Sequence, residues 1–150
     1  MSACTFIVAD IPLASVSPEK EYPLEINIDT GEVFDGGADD NFFLLPFEEV
    51  DAYSEKKYGV MLEWNYTSGR AERICDYIRV GLDSVEEVEF CRVWLGDWYW
   101  YEYEDRPVLH ERRISAADLT VEDIAELSSA EIWNNKDKNR PSFYRLTITR

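Results

Sequence analysis

His110 is the only histidine in the chain and its obvious general base near neutral pH. No carboxylate stands at a spacing that would hold its ring, and strand alternation sets it beside Val108 and Arg112, so a structural place is expected. Glu55-Lys56-Lys57, with Asp39, Asp40 and Asp51 upstream, has the Glu-x-Lys order that some metal-dependent nucleases carry on a strand beside a metal. Here it falls at an expected helix end, where lysines complement the helix dipole. Asp35, Asp39 and Asp40 put carboxylates on a Gly-rich loop. Calcium takes six to eight oxygens at set spacings, and Gly36-Gly37 come too early for an EF-hand, so a solvated turn is expected and no metal.

Cys4, Cys75 and Cys91 are odd in number and far apart. That argues against a disulfide framework or zinc site and fits a reducing cytoplasm. Cys75 shares a helical stripe with Ala71, Ile74, Ile78 and Leu82, which makes it a core residue rather than a nucleophile. No phosphate-binding glycine loop and no G-x-S-x-G elbow occurs. Neither catalytic residues nor a cofactor are expected.

The least ordinary feature is the aromatic run from Trp94 to Tyr103. Strand alternation places Trp98 and Trp100 on one face and Tyr99, Tyr101 and Tyr103 on the other. A buried ring is worth roughly 2–3 kcal/mol, so both sets do not stay in water cheaply. One set should pack on helices. The other is covered by N-terminal strands, presented as a binding face, or buried in a homodimer. Glu102, Glu104 and Asp105 would rim such a face with acid.

Charge points the same way. The 150 residues carry 31 acids against 15 Lys and Arg, a net charge of −16. Such a chain repels phosphate backbones and anionic membrane surfaces, so neither nucleic acid nor membrane is an expected partner. The apolar run Phe42 to Leu45, as long as any in the chain, is far short of a membrane span, and the N-terminus has no signal-peptide pattern. Glu21 to Glu55 holds eleven acids and no Lys or Arg, and Gly81 to Asp105 holds eight acids and one base. Asp39, Asp40, Glu48 and Glu49, with Trp98, Tyr99, Trp100, Tyr101 and Tyr103, are the candidate contacts to a basic protein.

The elements that must position these residues follow from periodicity. Ala3–Ala9 reads as a strand. Tyr22–Asp29 alternates Tyr22, Leu24, Ile26 and Ile28 against polar residues, predicting one dry face. Asp29-Thr30-Gly31 should turn it into Glu32–Phe34. Phe42–Leu45 is a short strand, and Pro46 should open a helix to Lys57. Val60–Tyr66 is a strand, and Thr67 or Ser68 caps a helix to about Leu82. Strands follow at Val85–Leu95, with Trp98–Tyr103 continuing it or doubling back at Gly96-Asp97, then at Val108–Ile114 and Ser142–Thr149. Thr120 should cap a helix to about Ala130, with Asp123 as its capping-box partner and Leu119 and Ile124 as a hydrophobic staple.

Composition and length fit one α+β domain over residues 1–150. From Val60 the order is β-α-β-β-α-β, that of a ferredoxin-like split βαβ sandwich with a mainly antiparallel sheet, here with a β-rich N-terminal extension. The expected function is a non-enzymatic acidic interaction protein that binds a basic protein. Immunity proteins, antitoxins and phage-encoded inhibitors resemble it in composition alone. The alternative is a small-molecule binding domain or enzyme with a pocket between sheet and helices, lined by His110, Tyr99 and Tyr101.

Overall fold

A computed structural model of the chain describes residues 3–94, 108–128 and 142–150. The aromatic stretch from Trp98 to Tyr103, and with it the turn at Gly96-Asp97, lies outside the described residues.

Among the described residues, eight strands and two α-helices follow in the order β1 (Ala3–Ala9), β2 (Glu25–Ile26), β3 (Val33–Phe34), β4 (Phe42–Pro46), β5 (Tyr58–Trp64), α1 (Ser68–Leu82), β6 (Glu87–Trp94), β7 (Val108–Ser115), α2 (Val121–Ser128) and β8 (Ser142–Thr149). Six strands form one mixed, mainly antiparallel sheet in the order β4-β5-β1-β6-β8-β7. β1 lies between β5 and β6, antiparallel to both. Its Phe6, Ile7, Val8 and Ala9 are apolar without alternation because both of its faces are covered, and all four are 0% exposed.

Both helices lie on one face of the sheet. The α1 stripe Ala71, Ile74, Cys75, Ile78 and Leu82, with Ile124 and Leu127 of α2, packs on Ile7, Val60, Leu62, Phe90, Leu146 and Ile148. Thr67 starts α1 as its N-cap, its Oγ1 accepting the Arg70 backbone N–H at 3.1 Å. The other face is aromatic. Phe6 stacks on Phe47 at 4.6 Å between centroids, and Tyr53 and Phe143 close around them.

The sheet order differs from a ferredoxin-like arrangement. β5-α1-β6 is a split βαβ unit, but its slot is filled by β1. β7 and β8 are direct parallel neighbours, so the second unit encloses no strand. The doubly apolar N-terminal strand is the cause, since only the centre of the sheet covers it on both sides.

Residues 46–57 are not a helix. Pro46 is the last residue of β4, opposite Val60, and only a 3-10 turn forms at Val50–Ala52. A proline is tolerated on an edge strand because its missing N–H faces away from the ladder. Phe47, Val50 and Tyr53, three apart, all bury against the aromatic face. Tyr22–Asp29 is likewise not a long half-buried strand. Only Glu25 and Ile26 pair, with Phe34 and Val33, in a separate two-stranded ribbon.

At α2 the staple forms, with Leu119 and Ile124 buried. The capping box forms from one side. Asp123 Oδ2 accepts the Thr120 backbone N–H at 2.9 Å, and the Thr120 hydroxyl donates to that same oxygen rather than accepting from the helix backbone. With a shorter aspartate in the glutamate position, the carboxylate is drawn close enough to take the hydroxyl. Among the described residues no helix is long and apolar enough to cross a membrane.

Candidate interaction surface

The β2–β3 hairpin turns its apolar residues outward. Ile26 and Val33 are direct cross-strand partners and share one face, on which strand alternation also places Leu24. Leu24, Ile26 and Val33 are each more than half exposed, and Ile28 in the turn is 94% exposed. The turn is well formed. Asn27 Oδ1 accepts the Asp29 and Thr30 backbone N–H groups, Asn27 O accepts that of Gly31, and Gly31 takes a left-handed φ of 72°. The expected dry face is therefore a wet one: the ribbon forms a sheet of its own, and among the described residues no element of the core covers it.

Both feet of the ribbon are fastened. Before β2, the Tyr22 hydroxyl donates to Asp40 Oδ1 at 2.5 Å, and the Glu19 backbone N–H donates to Asp40 Oδ2 at 3.1 Å. After β3, Asp35 takes a two-pronged pair from Arg70, whose Nη1 and Nη2 each lie 2.9 Å from a carboxylate oxygen. Arg70 is 0% exposed, and it also donates from Nε to Ala38 O and from Nη1 to Asn65 O. The guanidinium, helped by the Gly37 backbone N–H, holds the Asp35 carboxyl far below its ordinary range. Asp35 is thus committed to Arg70, and the loop is a clamp rather than a solvated turn. A cleft of about 770 Å³ opens beside the first foot, lined by Ser17–Pro23, Asn41 and Phe43.

The candidate carboxylates fall into two places. Asp39 lies over the first turn of α1, where a Cβ added to Gly69 would overlap its carboxylate. Asp40 is half-buried in the Tyr22 contact, which lowers its pKa. Glu48 and Glu49 are exposed, but they flank Phe47 and Val50 on the aromatic side of the sheet. Trp98, Tyr99, Trp100, Tyr101 and Tyr103 lie outside the described residues.

Of the eleven acids between Glu21 and Glu55, Asp35 alone forms an ion pair among the described residues. The acids of β6 behave differently. Arg145 spans Glu89 and Glu111, at 3.3 and 2.9 Å, and donates to Tyr53 O at 2.6 Å. Glu89 also accepts from Ser54 Oγ at 2.7 Å. Glu87 pairs with Arg113 and with Lys56, and its pKa is lowered, first by Arg113. Ser54, Lys56, Glu87, Glu89 and Arg145 line a basin of about 420 Å³ on the aromatic side of the sheet, away from the helices.

The space between sheet and helices is filled by core side chains among the described residues. His110 stacks on Tyr144 at 5.2 Å, and its buried Nε2 has no hydrogen-bond partner among the described residues. Cys4, Cys75 and Cys91 are buried and free, and burial pushes the Cys75 thiol up to about 11. Among the described residues no group of His, Cys, Asp and Glu could hold a metal. No protein-family model, curated protein or solved structure matches the chain.

Two features escaped sequence reasoning. Arg70 stands four residues before Ile74 and eight before Ile78, so it continues the apolar stripe of α1. A cation on such a stripe signals a buried partner. Nothing comparable reveals that Leu24, Ile26 and Ile28 lack a covering element, because alternation looks alike whether a face is covered or not.

Proposed function

We propose that the chain is a non-enzymatic interaction protein that binds a basic protein partner. The observation that carries this reading is the hairpin: exposed aliphatic residues set within a stretch of acids that meet almost no internal base. Unpaired carboxylates that share a region add their fields, which speeds encounter with a cationic surface. Three buried, unpaired thiols agree with a cytoplasmic setting. The test is affinity capture from native lysate at low and high salt. A basic partner retained at low salt and released at high salt is expected. Acidic partners, or retention indifferent to salt, would overturn the reading.

A further inference from the structure

We infer that the β2–β3 hairpin is the anchor of this interaction, and that its apolar face seats in an apolar groove rimmed by Lys or Arg on the basic protein. The inference rests on the reading above and adds where contact is made and what chemistry receives it. Contiguous exposed aliphatic side chains on a small protein commonly mark a contact surface. Among the described residues, Leu24, Ile26, Ile28 and Val33 are the most exposed group of large aliphatics on one element, while Phe34, opposite Glu25, is exposed on the other face of the ribbon.

The scaffold holds this face in place. Tyr22–Asp40 and Asp35–Arg70 fasten the two feet, and the Asn27 contacts set the turn. A face that is ordered before binding loses less entropy on docking. Charge then selects the occupant. Glu25, Asp29 and Glu32 lie on the hairpin itself, and no Lys or Arg occurs from Glu21 to Glu55. A groove with a basic rim would neutralise these acids. A second copy of the same hairpin would set like charges against each other, so the charge pattern disfavours self-association through this face.

The test uses the full chain and three synthetic peptides, alternating Lys–Leu, Lys–Ser and Glu–Leu, followed by amide NMR at low salt. The Lys–Leu peptide should shift residues 24–34. Replacing Ile28 and Val33 together by Ser should weaken it about tenfold or more, with the thermal midpoint unchanged. The Lys–Ser peptide should bind at least about tenfold more weakly than Lys–Leu. Shifts centred elsewhere, indifference to the double variant, or equal binding of Lys–Ser would overturn the anchor and leave the basic-partner reading standing. Preference for Glu–Leu at the hairpin would overturn that reading while keeping the anchor. No binding by any peptide would overturn both. Sedimentation showing a dimer that Ile28→Ser converts to monomer would make a second copy the occupant, and the inference would fall.

Discussion

Two acidic stretches, alike in composition, are put to opposite uses. Around the β2–β3 hairpin every acid but Asp35 stands without an ion pair among the described residues, and aliphatic residues face water. On β6 the acids are matched by cations from distant parts of the chain: Lys56 before β5, Arg113 on β7 and Arg145 on β8. Net charge along a sequence window therefore says little about the field that window creates. What decides it is whether the sheet order brings cations beside the acids. The antiparallel β6–β8 register sets Arg145 opposite Cys91, one strand over from Glu89, whereas among the described residues the hairpin has no neighbouring strand to supply a base.

Asp35 is the exception inside the unpaired stretch and should give the largest effect. Asp35→Ala leaves the fully buried Arg70 guanidinium without its counter-ion, and removing one partner of a buried pair costs about 3–5 kcal/mol. The urea midpoint reads it. A loss below about 1 kcal/mol would mean that water reaches Arg70 and the clamp is superficial. The pH dependence has a set sign. The folded carboxyl lies below its ordinary value of 3.8, so its contribution is complete above that value and declines as pH falls below it. Asp35→Asn should flatten that acid limb.

Arg145→Met is the matching change in the paired stretch. It keeps the bulk against Phe143 but strands Glu89, which is buried. The expected cost is about 2 kcal/mol. Combined with Glu89→Gln, the loss should be smaller than the sum of the two single changes, since both act on one contact. Strict additivity would show that Glu89 and Arg145 are neighbours without being partners.

The contrast also explains how much of the molecule could be read in advance. Elements whose apolar residues are covered by the core were legible: the stripe of α1, Val60 and Leu62 of β5, Tyr144, Leu146 and Ile148 of β8, and the staple at Leu119 and Ile124 all lie in the core. Sheet order was not: the doubly apolar run of β1 calls for a place covered on both faces, but which strands flank it is settled by long-range pairing that no local pattern records. Residues 46–57 carry helix-compatible spacing, yet i,i+3 apolar residues serve a 3-10 turn against the aromatic face equally well. Of the candidate contacts, Asp39 and Asp40 lie by the hairpin foot and Glu48 and Glu49 across the sheet. Their field was visible in composition, and their geometry was not. The clamp needed two residues thirty-five apart in sequence, Asp35 and Arg70, to be brought together by a loop.

A third kind of acid sharpens the distinction. Asp123 serves the start of α2 through Thr120 and also pairs with Arg112 at 3.4 Å. Asp123→Ala should cost about 1 kcal/mol by chemical denaturation. Thr120→Ala should cost less, because its backbone N–H still finds the carboxylate and only the hydroxyl contact at 3.2 Å is lost. A larger loss for Thr120→Ala than for Asp123→Ala would restore the hydroxyl as the principal cap.

The smallest expected change in stability is the most informative about the hairpin. Replacing Glu25, Asp29, Glu32 and Asp39 by their amides removes four negative charges that meet no cation among the described residues. If these acids were part of the fold's support, their loss would lower the denaturant midpoint as Arg145→Met does. They are exposed, so salt screens whatever repulsion they exert on one another. The quadruple variant should therefore hold its stability within about 0.5 kcal/mol, with any gain confined to low salt. Association with the proposed basic partner should slow at the same time, and the difference from wild type should fade as salt rises. A stability loss above about 1 kcal/mol would place these carboxylates in structural work and dissolve the contrast between the two stretches. Unchanged stability with slower association would assign their charge to encounter alone.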